Sequence, residues 1–281
     1  MECSSQERGQ PLGWRASSSR SSGPDVSKRA DAIELALHDP FDVVLAGSEP
    51  IISKVSESGP GWDWAVYAGC PRGWSEEQVL KGLRKKVNVA SPEDGLQCMD
   101  GSSITTGDLR KKSGPWPSTD TCLERDVGGN TYSWVRARLL LVSKDDAVGF
   151  CTFSVHMSLR DPDGVPFLRV EVGSVFIEPK WRGKALSRLL VDAVVNVTLR
   201  VFKELQARLC AHGMREELGV ALLVVGDVIS ESGGRFLDAV GQHIWSQTRH
   251  GAIAAPEGPS GFRIAKMRVW DDHLEDADEY W

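Results

Sequence analysis

The chain has 281 residues, of which 41% are hydrophobic and 26% are charged, and its formal net charge is −6. These values are typical of a globular protein with one large domain or two modest ones. The acidic balance argues against nucleic acid as the main partner, because phosphate backbones bind to basic surfaces. No apolar run is long enough to span a membrane, so we expect no membrane partner.

The spacing of the cysteines bears on the redox state of the compartment and on whether a metal is bound. Six cysteines are spread along the chain without the close pairs that mark a zinc site or a disulfide framework. The first thirty residues have no apolar core of the kind found in secretory signals. Together these features predict a reduced, cytoplasmic protein with no bound metal.

The two ends differ in composition from the rest of the chain. Residues 1–30 are rich in Ser, Arg, Gly and Pro, and we expect a disordered tail because little apolar surface is available for burial. Residues 271–281 form an acidic tail, which we interpret as a solvated end, with attraction of a cationic substrate as the alternative. Residues 31–270 are predicted to form one folded domain.

The first part of that domain contains few clear elements. Asp31–Leu37 has helical spacing, and Phe41–Ala46 and Trp62–Ala68 are strand candidates. Ser75 is a predicted helix N-cap, because acidic residues follow it in the first turn. Residues 91–130 are polar and rich in Gly and Ser, and no element is predicted there.

The second part predicts a mixed α/β fold with a largely antiparallel sheet of about six to seven strands flanked by helices. Short turns join the three strands of a predicted antiparallel meander, Trp134–Val142, Ala147–Leu159 and Phe167–Ile177. A helix is predicted from Ala185 to the region of Gly213. The remaining predicted elements are the strand Val220–Val225, a short helix Arg235–Val240 ended by Gly241, and the strands His243–Thr248 and Phe262–Trp270.

The segment from Glu171 to Leu190 has the pattern with the clearest chemical meaning. A strand ends at Pro179, a short basic turn follows, and a helix begins at once, with small residues at 183, 185 and 187. This arrangement directs backbone N–H groups and the positive end of a helix dipole at one place, which favours an anion. Arg182 and Lys184 add charges suited to phosphate. A plain strand–turn–helix connection with a solvated basic turn fits the same spacing.

The segment resembles the cofactor-binding motif of the GNAT superfamily of N-acetyltransferases. In that family an apolar strand ending at proline leads into Arg-x-x-Gly-x-Gly/Ala, which wraps the pyrophosphate of acetyl-CoA. The matching residues here are Arg182-Gly183-Lys184-Ala185-Leu186-Ser187, so that Ala185 and Ser187 replace two glycines. Arg235–Gly241 is similar to the late helix of the family. The resemblance covers roughly residues 130–270.

The resemblance implies a GNAT-like central sheet that splays beside the strand ending at Ile177, and it implies acetyl-CoA as co-substrate. An acetyl group would pass to a primary amine of a small molecule or protein by direct attack in a ternary complex. Glu171 is the implied general base, because many family members carry a strand carboxylate there; a surface or salt-bridge carboxylate is the alternative. The implied cofactor-binding residues are Val175, Phe176, Ile177, Arg182, Gly183, Lys184, Ala185, Leu186 and Ser187.

Two other functions remain open. Leu237 stands where the family often carries a tyrosine that protonates the departing thiolate, so a catalytically inactive GNAT-like CoA-binding or regulatory module is the main alternative. A different nucleotide-binding protein is disfavoured, because neither glycine pattern typical of phosphate or dinucleotide loops is present. We interpret His156 as a packed strand histidine. The early tryptophans Trp62, Trp64, Trp74 and Trp116 could line an acceptor pocket or fill the core. The sequence predicts neither the acceptor nor the oligomeric state.

Overall fold

The structure is a computed structural model, and it describes residues 24–43, 45, 47–55, 62–90, 117–122, 132–144, 146–158, 167–214, 218–226, 231–249 and 262–271. The strands are β1 Pro50–Val55, β2 Trp62–Tyr67, β3 Ser118–Cys122, β4 Tyr132–Ser143, β5 Asp146–Ser158, β6 Phe167–Ile177, β7 Leu218–Gly226 and β8 Phe262–Asp271. The helices are α1 Pro24–His38, α2 Glu76–Val89, α3 Leu186–Ala211 and α4 Glu231–Arg249, and the 3₁₀ turn Pro179–Trp181 joins β6 to α3.

All eight strands belong to one sheet. Seven of them follow the order β1-β2-β4-β5-β6-β7-β8, and β3 shares the outer edge of β4 with β2. Every pair from β1 to β6 is antiparallel, whereas β6–β7 and β7–β8 are parallel. The predicted mixed α/β class with a largely antiparallel sheet is therefore confirmed, and the sheet is larger than predicted because β1 and β3 were not anticipated.

The parallel pairs account for the two long helices, since a parallel connection needs a crossover of many residues. α3 connects β6 to β7, and α4 connects β7 to β8. The apolar residues of α3 recur at helical spacing and are buried, as with Leu190, Val194, Val201 and Leu205. Buried residues of α1, α3 and α4 form the main core against one face of the sheet, which we call the three-helix face.

The opposite face, which we call the α2 face, has a smaller core. Leu80, Leu83 and Val87 of α2 pack there with Phe150 and Phe176 of the sheet. Ser75 caps α2 as predicted, because its hydroxyl accepts a hydrogen bond from the Gln78 N–H at 3.4 Å. Among the described residues, none of the helices is long and apolar enough to cross a membrane.

Several predicted elements match closely: the meander strands as β4, β5 and β6, the strand at Trp62, and the later strands as β7 and β8. Two predictions in the first part differ from the structure. Helix α1 begins at Pro24, inside the segment predicted as a disordered tail, and residues 1–23 lie outside the described part. The predicted strand Phe41–Ala46 is wrong, because its described residues are irregular and bury Phe41 and Leu45 in the core.

The predicted break at Gly241 is also wrong, and with it the strand His243–Thr248. Helix α4 runs through both, from Glu231 to Arg249. A Cβ at residue 241 would lie 3.0 Å from Val269 Cγ2 and 3.4 Å from Met267 Sδ. The glycine therefore allows the helix to approach β8 closely, and it does not end the helix.

Candidate functional site

Strand β6 changes its pairing partway along its length. Residues Phe167–Val172 pair with β5 on one side and β7 on the other, and the register with β7 ends where Val172 faces Gly226. From Gly173 to Ile177, β6 pairs with β5 but with no other strand of the described chain. The described part of β7 thus ends beside Val172 while β6 continues, and we call this point the fork. Backbone N–H and C=O groups along such an edge can pair with an extended ligand.

A β-bulge at Gly173 marks the fork. Thr152 faces Ser174 and Phe153 faces Val172, so Gly173 is the extra residue on β6. Val172 packs into the main core before the bulge, and Val175 does so after it, although normal alternation would put them on opposite faces. The bulge therefore changes which side chains of β6 point to each face, at the place where the described part of β7 ends.

Contacts around Gly226 show how tightly the fork is built. A Cβ at residue 226 would lie 2.8 Å from the Val172 carbonyl oxygen and 3.2 Å from Leu237 Cδ2. Leu237 of α4 is buried and fills the apolar space behind the fork. The position at which the resemblance implies a tyrosine thus lies beside the fork, but its side chain has no proton to donate.

The turn after β6 has the left-handed backbone that glycines favour. Gly183 has φ +77° and Ala185 has φ +56°, and Ala185 is the only described residue other than glycine with a positive φ. Left-handed geometry costs an alanine more than a glycine, because its Cβ approaches the neighbouring backbone. The structure thus gives a physical reason for a small residue at position 185, and it shows that alanine is accommodated there with strain.

Helix α3 begins without a side-chain cap. Its N-cap, Ala185, makes no capping hydrogen bond, and the first backbone bond of the helix runs from the Arg188 N–H to the Ala185 carbonyl at 3.2 Å. The N–H groups of Leu186 and Ser187 precede that bond and have no acceptor within the helix. Ser187 is exposed, and the Leu186 side chain is buried in the core. The buried Leu186 side chain therefore anchors the N-terminal end of α3 in the core, while the exposed Ser187 marks the side from which an anion could approach.

Basic side chains surround this helix end. The Arg182 Nε–H donates to the Ile177 carbonyl at 2.9 Å, which closes the turn over the end of β6. Lys184 Nζ lies 4.4 Å from the centre of the Trp181 ring, and Lys180 Nζ lies 5.6 Å from it. Trp181 stacks edge-to-face on Trp64 with ring centres 4.9 Å apart, so the aromatic pair fixes where the lysines sit.

A partly buried ion pair holds the start of the turn. Lys86 Nζ of α2 donates to Asp146 Oδ2 at 2.6 Å and to the Ala147 carbonyl at 2.7 Å, and it lies 3.3 Å from Glu178 Oε2. Burial raises the pKa of Glu178, but hydrogen bonds from Lys180 and Lys86 outweigh that effect and leave the pKa below its usual value. The charged carboxylate thus ties the turn to α2.

Glu171 lies on the α2 face, at the end of the doubly paired part of β6. Its Oε2 is 3.3 Å from Arg169 Nε and 3.7 Å from His156 Nε2, and its side chain is 43% exposed. The carboxylate is both a salt-bridge partner and open to solvent. A role as general base and a role as salt-bridge partner, the two alternatives drawn from the sequence for Glu171, therefore do not exclude each other.

His156 is placed beside this carboxylate, which the sequence interpretation did not foresee. Its Nε2 is 2.7 Å from Ser154 Oγ. Burial lowers the pKa of His156; Glu171 raises it, and Arg169 and Arg136 lower it further, with a net decrease. The signal was present as Ser-x-His on β5 and Arg-x-Glu on β6, but only the register, which sets Ser154 against Glu171 and His156 against Arg169, brings them together.

The other residues singled out from the sequence lie apart from this site or outside the described residues. Trp74 packs into the smaller core, and neither Trp116 nor the Trp62 side chain is described. Burial, aided by Glu76 and opposed by Arg138, raises the pKa of the Cys70 thiol to about 11, so it stays protonated at neutral pH. No group of metal-binding side chains is present in the described segments.

Comparisons with protein-family models, with curated proteins and with solved structures find no match to this chain.

Proposed function

We propose that this protein transfers an acetyl (acyl) group from acetyl-CoA to a primary amine, as a GNAT-like N-acetyltransferase. The observation that carries the proposal is the continuity between the edge of β6 that no other described strand covers and the basic, left-handed turn at the start of α3. One part offers backbone groups to an extended chain with amides, and the other offers N–H donors and cations to phosphates. CoA combines these two chemical parts in one molecule.

The described residues supply a role for each part of the cofactor. Backbone groups of Val175, Phe176 and Ile177 would pair with the amides of pantetheine, in the manner of an added strand. The N–H groups from Gly183 to Ser187 would hold the pyrophosphate, with Arg182 and Lys184 adding charge. In this proposed arrangement the thioester would lie near the bulge at Gly173, beside the end of the described part of β7.

The acceptor amine would approach Glu171 from the α2 face. The ammonium form first loses one proton to the carboxylate, because only the free amine has a lone pair for attack. The nitrogen then bonds to the thioester carbon, and the carbon–sulfur bond breaks as the tetrahedral intermediate collapses. The second nitrogen proton leaves at that stage and ends on the thiolate of CoA. A thiolate of ordinary pKa, about 8.5, can depart without an acid.

A second candidate, a CoA-binding module without catalysis, is favoured by one observation. Leu237 fills the space behind the fork with an apolar side chain, so no tyrosine hydroxyl can protonate the thiolate from α4. Glu171 and His156 would then have only a structural role in an ion-pair cluster.

Turnover with a panel of amines separates the two candidates. The panel would include polyamines, amino acids and lysine peptides, with thiol release and product mass as readouts. A mass increase of one acetyl group together with CoA release supports acetyl transfer. Binding of acetyl-CoA without turnover of any acceptor would support the second candidate, and absence of binding would contradict both.

A further inference from the structure

The polar end of the α2 face contains two proton-accepting side chains side by side. Glu171 Oε2 and His156 Nε2 lie 3.7 Å apart, and Ser154 Oγ lies 2.7 Å from the same ring nitrogen. The His156 side chain is 28% exposed, and that of Glu171 is 43% exposed. Glu171 is thus the more exposed of the two, and His156 is the more buried.

Glu171 alone is a poor final acceptor for the proton of an amine. Carboxylates have a pKa of about 4.3 and ammonium groups one of about 10.4. Arg169 Nε lies 3.3 Å from Glu171 Oε2, so this carboxylate already has a cationic partner before an amine arrives. A neutral imidazole holds a proton more firmly than such a carboxylate, because its ordinary pKa is about 6.5.

The hydrogen bonds around His156 suit both of its protonation states. In the neutral ring, a bare Nε2 can accept the Ser154 hydroxyl proton. In the charged ring, Nε2 carries a proton that the rotated serine hydroxyl can accept, and the positive ring lies 3.7 Å from the Glu171 carboxylate. The ring therefore has a partner before and after it takes up a proton.

We propose that His156 stores the proton that Glu171 removes from the acceptor amine, and that Ser154 holds the imidazole in the orientation that receives it. The inference rests on the proposed acetyl transfer. One proton passes from the ammonium nitrogen to Glu171 and then to His156 Nε2, which leaves Glu171 ionised beside an imidazolium. After product release the imidazolium returns this proton to solvent. No other bond changes in the step.

Charges on the two strands that flank β5 influence the protonation of the His156 ring. Arg136 comes from β4, and Arg169 and Glu171 come from β6, next to His156 on β5. Burial and the two arginines lower the pKa of His156, and Glu171 opposes them, so the ring is neutral at physiological pH. It can then accept a proton in each cycle.

The kinetic test compares His156→Gln, Glu171→Gln and the double variant in pH–rate profiles at saturating amine. His212→Gln, an exposed residue just after α3, is the control. We expect His156→Gln to lower kcat about 10-fold or more near pH 7 and to lose the acidic limb of the profile. The double variant should be no slower than Glu171→Gln, because His156 acts through Glu171. Additive losses, or a His156→Gln profile that matches the wild type, would overturn the inference.

A second measurement needs no turnover. The His156 imidazole resonance, assigned by its loss in His156→Gln, is titrated in the full chain by NMR. Glu171→Gln should shift the midpoint to lower pH, since a nearby carboxylate favours the charged ring. An unchanged midpoint would overturn the coupling. If the protein acetylates amines and only these effects are missing, the inference alone fails. If no amine is acetylated, the proposed function fails and the inference fails with it.

Discussion

The two halves of β6 differ in what their edges do. Phe167–Val172 pairs with strands on both sides, and its backbone groups are used within the sheet. Among the described strands, the Gly173–Ile177 half pairs only with β5; it begins with a bulge and leads into a strained basic turn. The first half carries Glu171, and the second half carries the proposed cofactor edge. The same strand thus holds the sheet together in one half and offers the proposed binding edge in the other.

In the proposed mechanism, the cofactor binds where the pairing of β6 with a second described strand stops. An unpaired edge is costly to leave open, because its polar groups lack partners and invite aggregation. Here the open segment is short, and its far end is closed by the Arg182 side chain on the Ile177 carbonyl. A short strand edge without a second described partner strand is suited to a ligand that has only a few amide groups to pair.

The largest expected effect lies at Glu171, the last functional side chain of the doubly paired half. Glu171→Gln should reduce turnover about 10²- to 10⁴-fold at neutral pH, the usual contribution of a general base. Acetyl-CoA affinity should stay nearly unchanged, because the cofactor edge lies in the other half. Raising the pH should restore part of the rate, since more of the acceptor is already deprotonated. Equal rates in both proteins across the pH range would remove Glu171 from the mechanism.

The fork itself can be tested with two glycines of β7. Gly226→Ala places a Cβ 2.8 Å from the Val172 carbonyl, so backbone must move, and we expect a loss of about 1–3 kcal/mol in the free energy of unfolding. Gly219→Ala is the matched control, because its nearest contact would be an ordinary 3.6 Å to Ala265 Cβ. Urea denaturation of both variants is the measurement. Equal stabilities would show that the fork is less tightly built than described.

The anchor of the turn predicts a pH-dependent effect. Lys86→Met should lower the free energy of unfolding by about 1 kcal/mol at pH 7, through loss of charged hydrogen bonds. The native pKa of Glu178 lies below its unfolded value, so its stabilisation is present above the unfolded pKa and is lost as the pH falls through the native one. The difference from wild type should therefore shrink in acid. Lys85→Met, at an exposed neighbour, is the control; a difference independent of pH would exclude the Glu178 pair as its source.

The smallest effect concerns the strain at the start of α3. Ala185→Gly relieves a left-handed alanine, and we expect a gain of about 0.5–1 kcal/mol in stability, with acetyl-CoA affinity kept or improved. Ala207→Gly, at an exposed position within α3, should instead lose about 1 kcal/mol. Thermal unfolding of the pair measures both. A loss of stability at position 185 would show that its backbone is not strained.

The parts of the fold that sequence predicted are those with local signals. Alternating apolar residues identified β4, β5 and β6, and the Ser75 cap with its acidic first turn identified α2. The prediction failed at Gly241, because a glycine that allows close packing on β8 looks in sequence like a helix end. The strand prediction for Phe41–Ala46 was wrong because an apolar run that is buried without strand pairing looks the same in sequence as a strand.

The candidate site likewise has one part that the sequence could predict and one part that it could not. The basic turn was predictable because its residues are contiguous, and their small size has a backbone cause at Gly183 and Ala185. The pairing of Glu171 with His156 was not predictable, because it depends on the register between β5 and β6 around the bulge at Gly173. Register sets which residues are neighbours across a sheet, and it cannot be read directly from the sequence.

The central claim, that the open half of β6 and the turn together bind CoA, is tested most directly by calorimetry with acetyl-CoA. The wild type should bind, and Arg182→Ala should bind about 5- to 150-fold more weakly, which corresponds to about 1–3 kcal/mol. Lys203→Ala removes an exposed charge of α3 about 25 Å from the helix start and should bind as the wild type does. No binding by the wild type, or equal affinity in a folded Arg182→Ala protein, would contradict the account.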